Sequence, residues 1–287
     1  MSSFAQPARA VAARVLAAPR LRPTFLIIGA QKSGTTALHA YLTEHPAVLT
    51  AQKKELHYFN NAYGPDNPHG RADRWYLSQF PLKAQAAVVH RRLGVRPVVG
   101  EATPAYLFHP RVPARVHAFE PRMNLIAVLR DPIERAYSQY QRGIRSGYHT
   151  LSFEEALELE REYLPPELER IERDPLYVSP TGLQHSYVAR GRYAEQLERW
   201  LELFPGEQLL VLTREELLTQ TADELSRVYR FLRIPEPPPR SYPIVGVNSY
   251  EGMSAATRER LAQEFEPHTR RLEQLLGRKL PWTRPSG

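Results

Sequence analysis

Residues 25–36, FLIIGAQKSGTT, constrain the fold more tightly than any other stretch of the chain. The apolar run Phe25 to Ile28 has the character of a buried strand. A short loop between Gly29 and Gly34 follows, and then ALHAYLTEH, with Ala37, Leu38, Tyr41 and Leu42 on one helical side. Strand, glycine-containing loop and helix in that order turn backbone N–H groups toward an anion, and the helix dipole favours negative charge there. The run almost matches G-x-x-x-x-G-K-[ST], the Walker A phosphate loop. Gly29 and Gly34 keep its spacing, but Thr35 stands where the lysine belongs, and the lysine sits earlier, at Lys32. A phosphate-bearing nucleotide is the expected ligand; an ordinary ATPase is not the expected enzyme.

The rest of the chain alternates strand and helix patterns. Short strands are expected at Ala47–Thr50, Arg96–Gly100 and Gln208–Leu212. Asn124–Leu129 is a continuous apolar run, as in a parallel strand covered on both faces. Apolar spacing predicts helices over 82–93, 112–119, 133–144, 192–204, 223–232 and 255–276. A further helix over 152–163 opens with a capping box, Ser152 with Glu155. Residues 60–73 and the Pro-rich, charged 164–182 read as loops. The expected fold class is α/β: a P-loop-type three-layer domain with a central parallel sheet flanked by helices. The phosphate loop then lies at the carboxyl end of the first strand, where such sheets bind ligands. Residues 1–22, Ala/Arg-rich and free of acids, read as an N-terminal extension, with one domain over 23–287.

Charge and cysteine content narrow the partners. Lys and Arg number 38 against 31 Asp and Glu, a formal +7, which steers anionic ligands. No RRM, KH or zinc-finger signature accompanies it, so nucleic acid is not an expected partner. There are no cysteines, which removes disulfides and thiolate nucleophiles and suits a reducing compartment. No window approaches ~18 uninterrupted apolar residues, and arginines interrupt any signal-peptide core. A cytoplasmic location is expected.

Two further stretches carry chemistry. In LIAVLRDPIERAYSQY, 125–140, a strand ends at Arg130 and the next helix carries Ser138, so the two can converge on one anion. Read blandly, Arg130 and Asp131 form a strand-end ion pair; read as a Walker B strand, Asp131 would hold Mg²⁺. In KKELHYF, 53–59, an extended backbone would put Glu55, His57 and Phe59 on one face. Either Glu55 or His57 can then act as general base. The bland reading is a charged edge strand.

QKSGTTAL after an apolar strand, KELHYF, WYLSQFP at 75–81, GEATPAYLFHPRVPARVHAFEP at 100–121 and VLRDPIERAYSQY at 128–140 occur in order. Together they resemble the sulfotransferases that use 3′-phosphoadenosine 5′-phosphosulfate (PAPS). The resemblance is nearest to the heparan sulfate 3-O- and N-sulfotransferases and to bacterial sulfotransferase-domain proteins. It is dense over 24–140 and thinner through GRYAEQLERWLELFP and LGRKLPW. It implies that Gln31, Lys32, Ser33, Gly34, Thr35 and Thr36 form the 5′-phosphosulfate loop, with Lys32 also stabilising the leaving phosphate. Arg130 and Ser138 match holders of the 3′-phosphate, Glu55 the catalytic base, and His57 a substrate-contacting neighbour. Tyr193 and Ser254 are expected to border the nucleotide. The implied co-substrate is PAPS, the product 3′-phosphoadenosine 5′-phosphate (PAP), with no metal; the acceptor is a small molecule or a saccharide. The chain departs from the heparan-type pattern at Ala102, where those enzymes have lysine, at Asn60, where the 3-O enzymes have an acid, and in NSYEGMS, 248–254. Tyr137, Tyr140 and Tyr148 are candidates for an apolar acceptor pocket. The alternatives are a P-loop kinase or NTPase using ATP–Mg²⁺, and a non-catalytic binding module on the same fold.

Overall fold

The computed structural model describes residues 19–61, 71–181, 183–238, 241–242 and 252–283. Its centre is a five-stranded, wholly parallel sheet. The strands are β1 (Phe25–Gly29), β2 (Val48–Thr50), β3 (Val98–Ala102), β4 (Asn124–Leu129) and β5 (Leu209–Thr213), in the order β2-β3-β1-β4-β5. β1 lies in the middle, with Phe25 level with Gly100 of β3 on one side and Asn124 of β4 on the other. The chain fills one side of β1 first and then crosses to the other, so a switch point opens between the carboxyl ends of β1 and β4.

Alternation along the strands builds two cores. Leu26 and Ile28 of β1 join Leu125, Ala127 and Leu129 of β4 on one face. Phe25 and Ile27 join Ile126 and Val128 on the other. The first face is covered by α2 (Arg71–Ser78), α4 (Val112–Phe119) and α7 (Tyr193–Leu201), with Leu272 of α10 (Ala255–Leu276). The second is covered by α1 (Thr35–Thr43), α8 (Arg214–Thr219) and α9 (Thr221–Leu232). The remaining helices are α3 (Lys83–Leu93), α5 (Pro132–Arg145) and α6 (Phe153–Arg173). This is the three-layer arrangement expected from the alternating pattern.

Three local expectations are corrected. Residues 164–173 are helical, because α6 runs through Pro165 and Pro166 and buries Leu164 and Ile171 beyond its capped start. The apolar face continues past the prolines, and packing overrides their propensity. The third strand lies two residues later than expected and contains Glu101. The helix predicted over 192–204 ends at Leu201; Phe204 is buried in the turn that follows. Residues 62–70 of the expected 60–73 loop, most of 1–22, and 248–251 of the NSYEGMS stretch lie outside the described residues.

Candidate active site

The loop leaving β1 enters the switch point. Lys32 has φ 69° and Gly34 φ 97°, both left-handed. A glycine adopts that backbone without cost, which explains Gly34. Lys32 does so under constraint: Arg130 Nη1 donates to its carbonyl at 3.2 Å, tying the loop after β1 to the end of β4. No side chain caps the first turn of α1, so the N–H groups at Thr35 and Thr36 face the cleft without an internal partner.

That cleft has a volume of about 410 Å³ and is lined by Gln31, Lys32, Gly34, Thr35, Thr36, Glu55, Arg130 and Ser138 among others. Eight of the residues expected from the sequence therefore meet at one place. Gln31 Oε1 is buried there without a hydrogen-bond partner among the described residues. Four expected residues stand elsewhere. Ser33 is fully buried beneath the loop, its hydroxyl beside Tyr193 without a well-aligned hydrogen bond. Tyr193 is buried outside the cleft lining and donates to the Arg130 carbonyl at 2.9 Å, which fixes the strand end. Ser254 caps α10, accepting from Thr257 N at 3.1 Å, and does not line the cleft. His57 sits beside Glu55, just off the lining.

The 53–59 segment is a turn, not an extended strand. His57 has φ 54°, which bends the chain back and swings Phe59 into the core. Glu55 and His57 nevertheless meet, Nε2 to Oε2 at 3.3 Å, and Lys54 Nζ approaches Glu55 Oε1 at 3.1 Å. Burial pushes the Glu55 carboxyl up, but the His57 hydrogen bond and the Lys54 charge outweigh it and hold Glu55 below the usual range. The same bond raises His57 against the opposing effect of burial, and Nδ1 faces Asn60 Oδ1 at 3.2 Å. Lys54 Nζ also reaches Thr36 Oγ1 at 3.3 Å, so one ammonium bridges the carboxylate and the first turn of α1.

A buried carboxylate aims this turn. Glu101 accepts from Tyr76 at 3.0 Å, Thr103 at 2.7 Å and Tyr106 at 2.9 Å. Thr103 Oγ1 in turn accepts from Leu56 N at 3.1 Å and His57 N at 3.4 Å, and the Tyr106 hydroxyl from Tyr58 N at 3.0 Å. Sequence reading missed Glu101, Thr103, Tyr106 and Lys54 as functional residues. The signal was present in GEATPAY and KKE, but no spacing rule links those segments before they fold.

The Arg130–Asp131 pair does not form. Arg130 faces Glu134 at 3.8 Å instead, and Asp131 caps α5, accepting from Ile133 N at 2.8 Å and Glu134 N at 3.4 Å. Asp131 is thus occupied as a helix cap where a Walker B reading needs a metal ligand. Tyr137 and Tyr140 pack against Phe153 and do not line the cleft; Tyr148 is partly exposed beside His149 and His185.

A family model described as the sulfotransferase domain matches residues 22–273. The chain belongs to the sulfotransferase family. Among its relatives, bifunctional heparan sulfate N-deacetylase/N-sulfotransferase 2 of Bos taurus is 33% identical over 217 residues, 74% of this chain and 22% of that protein. Heparan sulfate glucosamine 3-O-sulfotransferase 5 of Homo sapiens is 30% identical over 213 residues, 74% of this chain and 54% of that protein. This sulfotransferase chain thus spans 22% and 54% of the length of those two relatives. The crystal structure of a sulfotransferase from Alicyclobacillus acidocaldarius matches with a TM-score of 0.65 and 32% identity, covering 91% of this chain and 98% of that one.

PAPS is the sulfuryl donor of sulfotransferases, and the cleft fits it. The uncapped turn of α1 and the surplus of cations suit a nucleotide with two anionic ends, and the orphaned Gln31 oxygen can accept from one of its N–H or O–H groups. Membership of the sulfotransferase family argues against the kinase and NTPase alternative.

Proposed function

We propose that this chain moves the sulfuryl group of PAPS to a hydroxyl or amine of a saccharide or small-molecule acceptor, with Glu55 as general base. One observation carries the reading. Through Lys54, the Glu55 carboxylate lies two hydrogen bonds from Thr36, at the turn of α1 that would take the 5′-phosphosulfate. The acceptor oxygen or nitrogen attacks sulfur as the bond from sulfur to the 5′-phosphate oxygen breaks, and the acceptor proton passes to Glu55. Glu55 is ionised at neutral pH and therefore ready to accept it. Lys32 and the α1 N-terminus stabilise the charge left on the phosphate, and Arg130 and Ser138 hold the 3′-phosphate at the other end. His57 supports Glu55 from behind.

The test is PAP release from PAPS across a panel of phenols, aliphatic alcohols, amino sugars and heparan-type saccharides. The saccharides come first, since the named relatives include heparan sulfate enzymes. With an acceptor in hand, Glu55→Gln should cut turnover by about 10²–10⁴-fold while leaving PAP affinity near normal. Near-normal turnover by that variant would remove Glu55 as base and point to His57. Residues 23–287 are taken as one domain, and limited proteolysis that frees two stable pieces from that range would contradict it. We also propose a cytoplasmic location; recovery with membranes on cell fractionation would overturn it.

A further inference from the structure

The cleft carries more positive charge than Lys32 and Arg130 supply. Lys32, Lys54, Arg130, Arg142 and Arg214 line it, against one carboxylate, Glu55, a surplus of four. Lys54 is paired with Glu55 at 3.1 Å, and Arg130 faces Glu134 at 3.8 Å. Arg142 differs. It is exposed, and its guanidinium makes no hydrogen bond or ion pair with any described residue.

Helix geometry fixes where it can reach. Arg142 follows Ser138 by four residues on α5, so the two rise from one face with Cβ atoms about 5–6 Å apart. Side chains on a helix lean toward its N-terminus, which carries the Arg142 guanidinium back over Ser138. Ser138 itself has no hydrogen-bond partner among the described residues, and both side chains line the same cleft. Arg135, one turn earlier, is fully buried and committed to Gln139 Oε1 at 2.7 Å and to the Tyr187 carbonyl. Arg142 is the arginine of this helix face left open to the cleft.

We propose that Arg142 is a third ligand, with Arg130 and Ser138, for the 3′-phosphate of the nucleotide, and sets selectivity for 3′-phosphorylated adenosine. The inference rests on the assignment of Arg130 and Ser138 given above. A guanidinium fork matches two phosphate oxygens, and such charge-assisted bonds are roughly twice as strong as neutral ones.

Calorimetric titration of the full chain with PAP and with 5′-AMP, which lacks the 3′-phosphate, tests this without any acceptor. Arg142→Gln should weaken PAP about tenfold or more and 5′-AMP less than about twofold, for a bidentate charged contact. Arg142→Lys should recover part of the loss, keeping the charge without the fork. The substitution changes an exposed side chain, so the fold is retained. An unchanged PAP-to-AMP ratio in Arg142→Gln, whether both affinities fall or neither does, overturns the role of Arg142 alone. A wild-type protein that binds PAP no tighter than 5′-AMP overturns the assignment of Arg130 and Ser138 with it.

Discussion

Lys32 is under two opposing demands. Burial, and then the positive field of Arg145, Arg142, Arg130 and Arg135, bring its ammonium down to about 8. An anionic ligand needs the charged form, so binding PAP pulls the group back up and takes up a proton wherever the free amine is neutral. The sign follows. Affinity is full while free Lys32 is protonated and falls as the pH rises through 8. A group with that value is about nine-tenths charged at pH 7 and about one-tenth at pH 9, so PAP should bind about tenfold more weakly at pH 9. Glu55 stays ionised across this window. His57, raised by Glu55, is another titratable group beside the cleft, and Lys32→Arg leaves its contribution in place. That variant should flatten the profile above pH 7. Calorimetry in two buffers of different ionisation enthalpy measures the proton taken up, and a wild-type affinity that is flat from pH 7 to 9 would contradict the role given to Lys32.

At the scale of elements, the strand β3 does more than extend the sheet. Glu101 holds Tyr76 of α2 and anchors Thr103 and Tyr106, which grip the backbone of the 55–59 turn. Glu101→Ala strands three buried hydroxyl donors, each worth about 1–3 kcal/mol when unsatisfied, so a loss of about 3 kcal/mol or more is expected in urea unfolding. Glu101→Gln keeps one acceptor oxygen and should cost less. Turnover should fall further than PAP affinity, because the nucleotide loop hangs from β1 and Arg130, not from Glu101. Stability within about 1 kcal/mol of wild type would refute the anchor. This network also marks where sequence reading stops. Val112–Phe119 and Ala255–Leu276 are legible to the residue, because apolar spacing and a terminal Gly277 define them locally. The β1 loop and Arg130 are legible because each lies at the junction of a strand and its following helix, and Ser138 because it lies on the helix that Arg130 leads into. The hold of Glu101 on Leu56 and His57 passes through Thr103, which lies 46 or 47 residues from the turn, and no local pattern reports that. Ser254 shows the converse: a serine before a helix is a cap first, and here the cap uses its oxygen.

At the scale of the whole molecule, the cleft gathers the ends of three strands. Lys32 follows β1, Arg130 follows β4, and Arg214 opens the helix after β5, packed over Gly34. In the order β2-β3-β1-β4-β5, those ends straddle the crossing from one half of the sheet to the other. Among the described residues, one direct bond across the crossing at this end is Arg130 to the Lys32 carbonyl. A ligand held at both its phosphates therefore ties the β1 loop to α5 and stabilises the sheet as a unit. Ligand at about one hundred times its dissociation constant adds about 2.7 kcal/mol to folding. For a domain of this size each kcal/mol raises the midpoint by roughly 2–4 °C, so PAP should raise Tm by about 5 °C or more. 5′-AMP, which lacks the phosphate proposed for Arg130 and Ser138, should give a smaller shift at equal concentration. ATP with Mg²⁺ should do no better than 5′-AMP, since it has no 3′-phosphate for Arg130 and Ser138 and finds Asp131 occupied as a cap. Chelation should leave the PAP shift unchanged. A larger shift from ATP–Mg²⁺ than from PAP would mean that the crossing is closed by a triphosphate, and the 3′-phosphate end of the cleft would have to be given up.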